Sequence, residues 1–320
     1  MEAILLALGS GFCAGALGPT LRWGLQRRPD AALGALASVG IGLAVAAAIA
    51  AASGQLGHVG LRAGWPFLAL GVLAPGLSQV LFVRAIERLG PSRTLTAVSV
   101  APLFAGIAAV LLLGEPFGVA LAVGTVLIVL GGVTLGWERQ RPAGFRPSGF
   151  LWAAGAMGSY AARDDILRWA GARSLAPLAG TTLLLASAGA TTLLFFLLTR
   201  RGRGPAAVTA GTTEESRPAA GAAPGAAARV AAGWAAARSA GRLLLPFVPA
   251  GLAMGLAYSA LVSAFHHGRV TVVSPVHGMY ALWGVLLSAV FLRKTELISR
   301  PLVVAAALIV CGGALIGIFH

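Results

Sequence analysis

The chain has 320 residues, 58% of them hydrophobic and only 11% charged, with a mean hydropathy of +0.85. Soluble domains carry about 25% charged residues, so a water-soluble globule is excluded and a polytopic membrane protein is indicated. The formal charge of +14 does not point to nucleic acid, because the arginines gather at the ends of apolar runs, where they meet lipid headgroups.

About 20 apolar residues cross a bilayer as a helix. By that measure ten spans are predicted, near 3–21, 31–52, 66–84, 93–113, 117–136, 149–169, 174–198, 244–265, 270–292 and 300–319. Backbone groups in lipid must be bonded within the segment, so the spans are helices, and the fold class is an all-α integral membrane protein. The first run, MEAILLALG, has no basic segment before it and is read as a retained span. Cys13 lacks the small preceding residue of a lipoprotein site. Cys13 and Cys311 show no metal or disulfide spacing and are read as small buried hydrophobes. No metal and no cofactor is expected. The 44 glycines suit close helix approach in a membrane.

Most connections are short. Residues 200–242 are the exception, rich in Ala, Gly and Pro with scattered charge, and are expected to be disordered. Of the 24 lysines and arginines, 19 fall on the side of this loop and 5 on the other. The positive-inside rule then places the loop in the cytoplasm and both termini outside a bacterial-type cytoplasmic membrane.

The chain repeats itself. GPSRTLTAVSVAPLFAG (90–106) aligns with GRVTVVSPVHGMYALWG (268–284), and VLIVLGGVTLG (126–136) with ALIVCGGALIG (307–317). The matches are ordered and similarly spaced. They divide the chain into 1–137 and 147–320, five spans each. A duplicated unit with an odd number of spans enters the membrane in opposite orientations, which gives an inverted repeat.

The stretch AIERLGPSRTLTAVSVAPLFAGIAAVLLLGEPFGVALAVGTVLIVLGGV (85–133) resembles the EamA-type transporters of the drug/metabolite transporter superfamily. The resemblance rests on Gly90-Pro91, Pro102, Glu115 and Gly131-Gly132, met again as Gly268, Pro275, Glu296 and Gly312-Gly313. Pro275 stands earlier in its span than Pro102. Members of the family are often placed with both termini in the cytoplasm, opposite to the charge count. The resemblance implies two five-helix units and transport of a small metabolite or drug-like molecule, with export as the expected direction.

Several polar residues stand inside apolar runs. Asp164 lies 15 residues after Gly149, roughly 22 Å into a core of about 30 Å. Asp164, Asp165 and Arg168 can pair at i,i+3 and i,i+4 spacing, with Tyr160 one turn before. YAARDDILRW is therefore either a polar patch at a central cavity or an interfacial helix end. Gln79, after Pro75-Gly76, needs a partner in mid-span. His277, Tyr280 and Trp283 lie in the ninth span as further substrate or coupling candidates. Pro19, Pro102 and Pro275 mark expected kinks, and Glu115 and Glu296 are gating or capping positions at span ends. His266 and His267 are read as interfacial.

The expected partners are a small-molecule substrate and the lipid bilayer, with no nucleic acid, and the chain is read as a monomer or homodimer. No Walker motif occurs, so no ATP is hydrolysed by that route. A lipid-carrier flippase of the same fold is the alternative. An intramembrane enzyme acting on polyprenyl phosphate would need several acids for magnesium, and the spans hold no second acidic cluster.

Overall fold

The computed structural model describes residues 1–58, 61–113, 118–136, 144–171, 176–201, 241–292 and 299–319. Among them every regular element is helical. In chain order these are α1 (Glu2–Arg27), α2 (Ala31–Ala52), α3 (Leu61–Gly71), a π-type turn (Val72–Leu77), α4 (Ser78–Leu89), α5 (Pro91–Val98), α6 (Ala101–Leu113), α7 (Val119–Gly136), α8 (Gly149–Gly171), α9 (Pro177–Arg201), α10 (Val248–His267), α11 (Val270–Gly278), α12 (Tyr280–Phe291) and α13 (Arg300–Phe319). Seven helical stretches among the described residues are long and apolar enough to cross a membrane. The fifth, sixth and tenth predicted spans are not among them; in the sixth, α8, four charged side chains crowd the C-terminal half. Glu115, Glu296 and residues 202–240 of the long loop lie outside the described residues.

Local chemistry sets the ends of the helices. The Asp30 carboxylate caps α2 by accepting from the Leu33 N–H at 3.0 Å. Gly90, at φ +85°, turns the chain between α4 and α5, and Pro91 opens α5 at a position that has no intrahelical donor to lose. Pro19 does not end the first helix, which continues to Arg27, beyond the predicted boundary near 21.

Three predicted spans are broken in mid-course. The third departs from helical geometry at Ala74, just before Pro75. The fourth is interrupted at Ser99–Val100, which puts Pro102 in the first turn of α6. The ninth is interrupted at Met279, one turn after Pro275. Breaks of this kind are tolerated in a membrane only where protein or a cavity satisfies the freed groups.

The packing interleaves the two halves of the sequence. Helix α1 lies against α10 and against α11–α12, while α8 lies against α4 and α6. Helix α2 packs on α9 and α10, α9 packs on α3 and the π-type turn, and α7 packs on α13. Glycines allow the closest approaches. A Cβ on Gly15 would stand 2.6 Å from Trp283 Cβ and 2.8 Å from the Tyr280 carbonyl oxygen. Cys13 is half-buried, but Cys311 is exposed on α13, contrary to the reading of both as buried. An apolar outer face costs nothing against lipid, so an apolar run does not distinguish inside from outside.

Candidate functional site

Beside the breaks of the fourth and ninth spans lies a small cavity of about 40 Å³, room for a few water molecules. Pockets for drug-sized ligands measure roughly 300–1,000 Å³, so the cavity at this volume does not hold one. The lining includes Gln79 of α4, Tyr160 and Arg163 of α8, Tyr258 of α10, His277 of α11 and Tyr280 of α12. The chain has three tyrosines, and all three are in this wall.

One side of the wall is a buried ion pair. Helix α8 continues unbroken to Gly171, so residues 160–169 are helical and do not form a frayed end. Arg163 and Asp164 are 4% and 2% exposed. The guanidinium donates through Nε and Nη2 to Asp164 Oδ1, at 2.9 and 2.7 Å, and through Nη1 to the Tyr258 hydroxyl at 3.3 Å. Its carbon stands 4.9 Å from the Tyr160 ring centre and 5.5 Å from that of Tyr258, within cation–π range. The other carboxylate oxygen of Asp164 accepts from the Ser274 hydroxyl of α11. The pair therefore ties α8 to α10 and α11.

The remaining polar groups of the wall are neutral. Gln79 donates through Nε2 to Ser38 Oγ at 3.0 Å, and Ser38 donates to the Ala35 carbonyl. His277 Nδ1 stands 3.0 Å from Ser10 Oγ, which donates to the Ala257 carbonyl at 2.7 Å. The His277 and Tyr280 rings meet edge to face at 5.3 Å. Among the described residues, Gln79 Oε1 and the Tyr280 hydroxyl are buried without a hydrogen-bond partner.

The cavity thus gathers Tyr160, Gln79, His277 and Tyr280 from the predicted set, with Asp164 directly behind Arg163. The rest lie elsewhere. Asp165 lines a separate lateral groove of about 440 Å³ with Trp65 and Trp169. Arg168 is half-buried and does not pair with Asp164; the carboxylate goes to Arg163, its chain neighbour. Trp283 packs edge to face on Phe12 at 5.3 Å and is not in the cavity wall. Pro19 is in the wall of a third hollow, of about 290 Å³, beside Trp23 and Phe291. Sequence reasoning passed over Ser10, Ser38 and Tyr258, and it did not single out Arg163 as the partner of Asp164. Arg93, at the first residue of the predicted fourth span, is wholly buried near the start of α5. Among the described residues no group of three or more His, Cys, Asp or Glu could hold a metal ion.

Residues 1–137 match the EamA-like transporter family. The resemblance read from the sequence is met over this stretch, which is similar to that family of the drug/metabolite transporter superfamily. No curated protein matches the chain. Among solved structures, one crystal structure of a protein is 21% identical and superposes with a TM-score of 0.62, over 98% of this chain and 95% of that one. At that identity the likeness speaks for the fold alone.

Proposed function

We propose that the protein is a secondary transporter of small metabolites or drug-like molecules, with its binding site in the central cavity and ten spans in two inverted units. The observation that carries the site is the convergence of all three tyrosines, the Arg163–Asp164 pair, Gln79 and His277 on one hollow beside broken helices. Polar groups in lipid are costly and are retained where a pathway needs them. The packing supports the repeat. Exchanging each span for the one five later turns α1 on α10 into α8 on α4, α1 on α11–α12 into α8 on α6, and α2 on α10 into α9 on α3. Inverted repeats of this kind carry substrate by exposing a midplane site to either side in turn.

The test is access from both faces. Val98 is in the cavity wall and fully buried. With Cys13 and Cys311 replaced by serine, Val98→Cys should react with a membrane-impermeant thiol reagent from outside in intact cells and from inside in inverted vesicles. Labelling from one side only, or from neither, would overturn the reading.

A further inference from the structure

The two neutral polar groups of the cavity share a wiring pattern that fixes what they offer a ligand. A serine hydroxyl has one proton. Ser10 gives its proton to the Ala257 carbonyl at 2.7 Å, since a carbonyl oxygen cannot donate in return. Ser10 Oγ can then only accept from His277, so the proton of the neutral ring sits on Nδ1 and Nε2 is left with a lone pair. Ser38 gives its proton to the Ala35 carbonyl at 3.0 Å. Ser38 Oγ can then only accept from Gln79 Nε2, which fixes the amide orientation and leaves Oε1 without a partner. Gln79 is 0% and His277 5% exposed, and both line the cavity.

Resting on the transporter reading of this cavity, we infer that Gln79 Oε1 and His277 Nε2 are a preset pair of hydrogen-bond acceptors, oriented by Ser38 and Ser10, and that the site takes a ligand with a donor-bearing head on an apolar or aromatic body. A primary ammonium or primary amide fits. A carboxylate does not, because it would set its lone pairs against those of Oε1 and Nε2. Arg163 does not reverse this preference. Three of its N–H donors are committed to Asp164 and Tyr258, and its charge is matched by the Asp164 carboxylate. A single positive charge on the ligand therefore meets a wall of no net charge. The three tyrosines suit an aromatic body.

The experiment is nitrogen-15 resonance spectroscopy on the purified full-length protein with labelled histidine, using His277→Gln to assign the signal among the five histidines. The neutral ring should carry its proton on Nδ1 and show an unprotonated Nε2. Three probes of similar shape are then titrated: benzylammonium, benzamide and benzoate. Benzylammonium and benzamide should shift the Nε2 signal, and benzoate should not. Ser10→Ala should mix the two ring tautomers and weaken benzylammonium binding about tenfold. A proton on Nε2 in the unliganded protein would overturn the inference. So would benzoate binding as tightly as the other two, or no response to any probe. These measurements need no gradient and no second compartment. Their failure leaves the access test at Val98 untouched, and failure of that test leaves the tautomer result standing.

Discussion

At the scale of single residues, Asp164 is the most exposed to simple electrostatics. It is the carboxylate that the structure sets against the buried Arg163 guanidinium. Removing one partner of such a pair costs about 3–5 kcal/mol, while replacing both by apolar groups of similar volume is often neutral. Asp164→Asn should therefore lose about 3 kcal/mol of stability in detergent, read by chemical or thermal unfolding. The double change Arg163→Met, Asp164→Leu should recover most of that loss and still fail to transport. A single variant as stable as the parent would mean that the pair is solvated. The sequence showed Gln79, His277 and Tyr280 readily, because a polar residue in an apolar run stands out. It concealed Ser10 and Ser38, since serine is common in apolar helices and only its partner gives it meaning, and Tyr258, whose role rests on its contact with Arg163 from a distant helix. It also suggested the wrong partner for Asp164. Spacing along a helix favours Arg168, but Arg168 is one turn nearer the helix end and its long side chain can reach the interface. Arg163 is held inward by Asp164 and Tyr258 together.

At the scale of elements, the close seat of α1 on the broken ninth span depends on the absence of a side chain. Gly15 lies under Trp283 Cβ and the Tyr280 carbonyl, beside the break at Met279. Those atoms are backbone or bound to it and cannot swing away. Gly15→Val should force α1 off α11–α12 and lower the melting temperature by several degrees or more. Gly40, on α2, has nothing within 4 Å of its missing Cβ. Gly40→Val should leave melting unchanged, which separates lost contact from lost backbone freedom. Equal effects at the two positions would count against close packing as the cause. The positions of most helices were legible, because hydropathy marks them directly; α2 coincides with its predicted 31–52. The interruption at Ser99–Val100 falls in the turn before Pro102, where a proline disturbs a helix. The end of α1 at Arg27 was missed because Pro19 and Arg22 look like a stop in sequence, yet the chain stays helical past both.

At the scale of the whole molecule, the two halves do not form separate bodies. Each of α1, α2, α4 and α7 has a main partner from the other half. Cutting the chain at the exposed Gly144, whose φ is +83° and whose surroundings are open, should give two pieces that associate. Residues 1–143 and 144–320 made together should copurify, while either made alone should be degraded; a stable half on its own would show that the interleaving is not needed for folding. The internal repeat was visible as two short alignments, but which span meets which was not, since hydropathy carries no partner information. The placing of every tyrosine in one wall has a practical result as well. Fluorotyrosine incorporated throughout the protein would give three fluorine resonances, all from the cavity and none from anywhere else. In the purified protein the cavity therefore carries its own reporter, free of signal from the rest of the chain, able to register opening, closing or occupancy without a known substrate.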